Sequence, residues 1–160
     1  MMPKNQSHPD KPVIQPDLIL LDQKEISDSA LIRKMGQLLI DHGLVKEGFV
    51  ETILKREQEY PTGLPVGEIA AAIPHTDASY VNRSAMVISV LKHPVEFRNM
   101  ADPDEKLAVQ IVFMLAMKEP AFQVTWLKKL INLFNKPELM KKILNFHDER
   151  ALADFLNQCL

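Results

Sequence analysis

The segment Ala70-Ala71-Ala72-Ile73-Pro74-His75-Thr76-Asp77 ends an apolar run with a proline and then presents an imidazole. Histidine titrates near neutrality, so its neutral ring can serve as a nucleophile or a proton acceptor. Pro74 fixes the backbone ahead of it and withholds one N–H. Loops at strand ends, held by a rigid sheet, commonly carry reactive groups. From these residues alone, an ordinary loop histidine and a reactive one are equally compatible with the pattern. Asp77 is two residues on, a spacing that does not by itself establish a hydrogen bond. A second group of interest is Lys55-Arg56-Glu57-Gln58-Glu59-Tyr60-Pro61-Thr62-Gly63, with an arginine just ahead of a Pro-Thr-Gly turn. The simpler reading is a solvated charge pairing with Glu57 or Glu59, worth little. The functional reading is an anion clamp. A planar guanidinium matches phosphate oxygens, and Thr62 with Gly63 offers a hydroxyl and backbone N–H groups.

The other four histidines read as structural. His8 lies in a polar N-terminal stretch, His42 at a helix end, His93 before Pro94, and His147 in a turn before a helix. None shares a metal-ligand spacing with another, and the single Cys159 is far from most of them, so no metal site is expected. One cysteine cannot form an internal disulfide, which fits a reducing cytoplasm. The formal net charge of −2 gives no electrostatic footprint for nucleic acid. No apolar run approaches the ~20 residues that span a bilayer. The 160 residues, 46% of them hydrophobic, suit one globular domain with a real core.

These groups need elements to position them. Residues 1–17, rich in proline and polar side chains, read as a disordered leader. Leu18–Leu21 is short and apolar, an expected first edge strand. Ser27-Asp28-Ser29 offers helix caps, Leu31, Met35, Leu38 and Leu39 follow at helical spacing, and His42-Gly43 stops the helix. A second helix is expected over 45–59, broken by Tyr60-Pro61-Thr62-Gly63. Strands are expected over 69–73, 85–91 and 107–116, the last apolar almost throughout, as a strand covered on both faces would be. Phe122, Trp126, Leu130 and Phe134 mark the core face of a helix. Lys136-Pro137 opens another, and Asp148 caps a final one. Strands mixed with helices predict an α/β sandwich.

Arg56, Pro61-Thr62-Gly63 and Ala72-Ile73-Pro74-His75, taken together, resemble the enzyme IIA domains of the bacterial sugar phosphotransferase system, in the fructose–mannitol superfamily. The resemblance spans residues 18–160. It implies the type-2 enzyme IIA fold, a mixed sheet flanked by helices on both sides in three layers. It implies that His75 takes a phosphoryl group from the histidine phosphocarrier protein and passes it to a cysteine of enzyme IIB, with Arg56 stabilising the phosphohistidine. Membrane enzyme IIC is an indirect partner, and no metal or cofactor is required. Members of the mannitol and fructose types carry a second histidine near the start of the helix after the long apolar strand. Here Gln123 stands at the matching position, as in galactitol-type proteins, so a galactitol-like polyol is the expected cargo. Glutamine donates a hydrogen bond but does not titrate.

In-line attack on phosphorus needs fixed donors for the equatorial oxygens. Arg56 supplies charge, and Thr62 and Gln123 are candidate donors. An apolar docking patch around His75 is expected to include Leu64 and Val66. The alternative is a nitrogen-type regulatory enzyme IIA, whose phosphorylation state controls partner proteins by binding.

Overall fold

The computed structural model describes residues 10–25 and 27–160. In chain order it forms β1 (Ile19–Gln23), α1 (Asp28–Asp41), α2 (Phe49–Glu59), β2 (Gly63–Val66), β3 (Ile69–Ala72), β4 (Ala85–Arg98), β5 (Lys106–Ala116), α3 (Pro120–Phe134), α4 (Pro137–Leu144) and α5 (Glu149–Cys159). The strands make one five-stranded sheet in the order β1-β4-β5-β3-β2. Two pairs, β1 with β4 and β3 with β5, are parallel; β4 with β5 and β2 with β3 are antiparallel. The sheet is therefore mixed, as expected.

Alternation along β5 explains its apolar composition. Ile111, Phe113 and Leu115 face a core shared with Trp126, Leu130, Phe134, Ile143 and Leu152 of α3–α5. Val112, Met114 and Ala116 face the opposite core, shared with Leu31, Met35, Phe49 and Ile53 of α1 and α2. With successive side chains on opposite faces, a central strand buried on both must be apolar at every position. The result is the expected three-layer arrangement.

Local signals account for most boundaries. The Ser27 hydroxyl accepts the Ala30 N–H at 3.1 Å and caps α1. Gly43, at φ 69°, takes the left-handed conformation that follows the helix end. Asp148 caps α5 through the Ala151 N–H at 2.9 Å. The expected start of α2 near Val45 moves to Phe49. Val45 bridges to Val81, and the Leu44 carbonyl accepts from Asn82 and Arg83, so this segment is held extended until the turn at Gly48. Strand β4 continues beyond its expected end at Leu91 to Arg98, with its register against β5 shifting between Val90 and Val95. His93 and Pro94 lie in that irregular stretch, where proline removes no ladder bond.

Of the leader expected over residues 1–17, residues 1–9 lie outside the described residues. From Asp10 onward the chain is held to the fold. The Trp126 Nε1–H donates to the Asp10 carbonyl at 3.0 Å, and Val13 and Met86 continue the ladder beside β4 through Val13 N–H to Ser84 O (2.9 Å) and Met86 N–H to Val13 O (3.1 Å). Ile14 is buried in the α3–α5 core. The expected boundary at Leu18 therefore moves to about Asp10, because a short extended segment finds backbone partners and a place for one apolar side chain.

Candidate functional site

His75 lies three residues beyond the end of β3, after Ile73 and Pro74. The Pro74 carbonyl accepts the Leu115 N–H at 3.1 Å, and His75 itself bridges to Leu115 in parallel register. The loop is thereby stitched to the end of β5. The His75 side chain is buried, 7% exposed. Its Nδ1 lies 2.7 Å from the Ile73 carbonyl oxygen. A carbonyl only accepts, so Nδ1 carries the proton, and Nε2 keeps the lone pair of the neutral ring. Burial lowers the His75 pKa below 6.5, and the charge of Arg56 lowers it further, while the Ile73 hydrogen bond opposes both. The lowered pKa favours the neutral ring, with its lone pair at Nε2.

Asp77 does not orient this imidazole. Its carboxylate accepts from the Ser79 N–H at 3.1 Å and from the Ser79 hydroxyl, capping the short 3-10 turn Ala78–Tyr80. Those hydrogen bonds hold its pKa below the ordinary value.

Arg56 sits in the last turn of α2, exposed to solvent, with its guanidinium 5.6 Å from the centroid of the Tyr60 ring. Among the described residues it forms no ion pair, neither with Glu57 nor with Glu59. Its charge nevertheless lowers the pKa of both His75 and Asp77. An arginine stacked on a ring, without a carboxylate, is available to an incoming anion.

Thr62 is buried, and its polar atoms are committed. Its N–H donates to Glu57 Oε2 and its hydroxyl to Glu57 Oε1, both at 2.8 Å, while the hydroxyl oxygen accepts the Ile73 N–H at 3.2 Å. The Thr62 proton expected for a bound phosphoryl group is therefore engaged by Glu57 in this arrangement. Thr62 supports the chain just ahead of His75.

Gln123 lies in the first turns of α3, half-buried, and its Oε1 is buried without a hydrogen-bond partner among the described residues. Helix α3 begins shortly after β5 ends, at the end of the sheet where His75 bridges to Leu115. The topology thus brings this amide, and the positive end of a helix dipole, to the His75 end of the sheet.

Leu64 and Val66 do not form an exposed apolar patch of the kind expected around His75. Val66 is buried and Leu64 is half-buried against the α3–α5 core, because β2 packs its apolar side chains inward. Exposed large apolar side chains among the described residues are Tyr60, Met100 and Val124. Tyr60 is beside Arg56, Met100 hydrogen-bonds through its N–H to the Gly63 carbonyl at 2.8 Å, and Val124 follows Gln123. No group of three or more metal-binding side chains gathers among the described residues. No helix among them is long and apolar enough to cross a membrane.

Glu57 is the residue that sequence reasoning missed. The sequence presents it only as a surface partner for Arg56, yet it is 8% exposed and holds the Thr62 turn. Its signal was present: Phe49, Ile53 and Glu57 recur at four-residue steps on the buried face of α2.

This fold is shared with enzyme IIA proteins. It superposes on enzyme IIAMtl in the complex of enzyme IIAMtl and phosphorylated enzyme IIBMtl from Escherichia coli with a TM-score of 0.70, at 20% identity, covering 89% of this chain and 95% of that one. The family model for the phosphoenolpyruvate-dependent sugar phosphotransferase system, EIIA 2, matches residues 12–159, and the chain belongs to that family. It is 27% identical over 135 residues to the galactitol-specific EIIA component of the phosphotransferase system of Escherichia coli strain K12, covering 84% of this chain and 89% of that protein. It is also 31% identical over 130 residues to the transcriptional regulator ManR of Bacillus subtilis strain 168, covering 80% of this chain but only 18% of that longer protein.

Proposed function

We propose that this chain is a phosphoryl carrier for sugar uptake, with His75 as the residue that carries the group. The observation that supports this most is the 2.7 Å hydrogen bond from buried Nδ1 to the Ile73 carbonyl, which leaves Nε2 as the nucleophile. In the proposed step the Nε2 lone pair attacks the phosphorus held by the histidine phosphocarrier protein, and the bond to the donor imidazole breaks. The His75 ring keeps its Nδ1 proton, so it gains positive charge, which the Ile73 carbonyl stabilises. Arg56 offsets the charge on the phosphoryl oxygens, and the Gln123 amide can donate to one of them. A cysteine thiolate of enzyme IIB then attacks phosphorus, and His75 leaves as the neutral imidazole. Both exchanges take place in the cytoplasm and need no cofactor. The likeness to a galactitol-specific EIIA component, with Gln123 in place of a second histidine, favours a polyol such as galactitol as cargo.

The likeness to ManR favours a second reading, in which the phosphorylation state of His75 governs binding to a regulated partner. The two readings separate on whether enzyme IIB accepts the group. The test of the first is transfer of label from phosphoenolpyruvate through enzyme I and the phosphocarrier protein. Acid-labile label on the wild type and none on His75→Ala is expected. An unlabelled wild type, under conditions that charge another enzyme IIA, would contradict the reading.

A further inference from the structure

A continuous set of hydrogen bonds runs from Glu57 to the reactive ring. The Glu57 carboxylate accepts from the N–H and the hydroxyl of Thr62 at 2.8 Å each. The Thr62 hydroxyl oxygen in turn accepts the Ile73 N–H at 3.2 Å, and the Ile73 carbonyl accepts the His75 Nδ1–H at 2.7 Å. Every group in this set is buried. We propose that Glu57 is a positioning residue for the transfer: through Thr62 and the Ile73 backbone it fixes the height and the tautomer of the His75 imidazole. This rests on the reading of His75 as the phosphoryl acceptor.

The chemistry of a carboxylate is what the arrangement uses. Two donors of Thr62 converge on one side chain, and only a carboxylate offers two acceptor oxygens to them. An amide offers one, so a glutamine at this position leaves either the Thr62 N–H or its hydroxyl facing an N–H₂. Ionisation of Glu57 in the interior is costly. Burial raises its pKa from 4.5 to about 7, the two Thr62 hydrogen bonds opposing that rise. Around it, Asp28 on α1 adds repulsion and Arg56 attraction, and Arg98 of β4 lines the same small cavity with Asp28, Ser29 and Gln58. A buried acid with no ion pair among the described residues is retained at a cost, and its two donors are both on the turn that braces β3.

The test compares Glu57→Gln, Thr62→Val and Thr62→Ser with the wild type in single-turnover transfer from the phosphorylated carrier protein, alongside ¹⁵N spectra of His75. Leu152→Ala, on the buried face of α5 and outside the hydrogen-bonded set, serves as a destabilised control. The expected result is a tenfold or greater loss of maximal rate in Glu57→Gln and Thr62→Val, with KM for the carrier little changed. Thr62→Ser should retain near wild-type rate, and the two slow variants should lose the uniform Nδ1–H tautomer. If Glu57→Gln does not fold, the Thr62 pair carries the same comparison. Wild-type rates and wild-type His75 ¹⁵N shifts in the folded variants would overturn the proposal. So would a loss of rate that follows only the fraction folded, as in Leu152→Ala. A wild type that accepts no phosphate fails the carrier reading itself, a result distinct from any of these.

Discussion

The proposed chemistry at His75 turns on one proton and one cation. The proton is held at Nδ1 by the Ile73 carbonyl, and the cation is Arg56, which carries no carboxylate partner among the described residues. Arg56 is exposed, so its removal should leave the fold intact. Arg56→Ala is expected to slow transfer by about 100-fold, the usual scale for losing one fixed donor to developing charge. Arg56→Lys should recover only part of that, because a point charge lacks the two-pronged fit to phosphate oxygens. Rapid-quench measurement of phosphohistidine formation, with circular dichroism to check the fold, decides it. An Arg56→Ala variant at the wild-type rate would place Arg56 outside the reaction.

At the scale of elements, the site depends on a close approach between β2 and the far end of the β4–β5 hairpin. Gly63 bridges to Asn99, and a Cβ built on Gly63 would stand 2.5 Å from the Arg98 carbonyl oxygen. Backbone cannot yield as a side-chain tip can. Gly63→Ala should therefore destabilise the protein by about 1–3 kcal/mol, read from urea denaturation, by forcing the hairpin off the Pro-Thr-Gly turn. The elements that were legible in the sequence were those with a complete local pattern. Caps at Ser27 and Asp148, the Pro137 start and the unbroken apolar run of β5 each state their structure within a few residues. Strand β2 was not legible. Pro65 sits within it between Gly63 and Gly67, a composition that reads as a turn, and it is tolerated because β2, paired along its length with β3, lies at the sheet edge. The ordered stretch from Asp10 was hidden for a related reason: its partners, Ser84, Trp126 and Asn157, are far along the chain. At the site, His75 and Arg56 stood out by type and spacing. Glu57 did not, since a glutamate beside an arginine at a helix end reads as a solvated charge unless its place on the Phe49–Ile53 face of α2 is weighed.

Over the whole molecule, two buried titratable groups pull stability in opposite directions. Glu57 has its pKa raised from 4.5 to about 7, so between those values the native state keeps a proton that the unfolded chain releases. Its contribution therefore falls as pH rises through that window. His75 has its pKa lowered from 6.5, so the unfolded chain binds a proton that the native state resists, and its contribution falls as pH drops below 6.5. The difference in unfolding free energy between wild type and Glu57→Gln should thus change steadily from pH 4.5 to pH 7, with the wild type losing ground as pH rises. Urea titrations at several pH values measure this directly. A difference that is flat with pH would mean that Glu57 titrates at its ordinary value despite its burial.

The account as a whole stands on which nitrogen of which histidine carries the phosphoryl group. The most direct measurement is a ¹⁵N–³¹P correlation spectrum of the protein after phosphorylation by its carrier. The expected result is coupling from phosphorus to Nε2 of His75, with Nδ1 still bearing its proton against the Ile73 carbonyl. Coupling to Nδ1, or a phosphoryl group on any other residue, would contradict it.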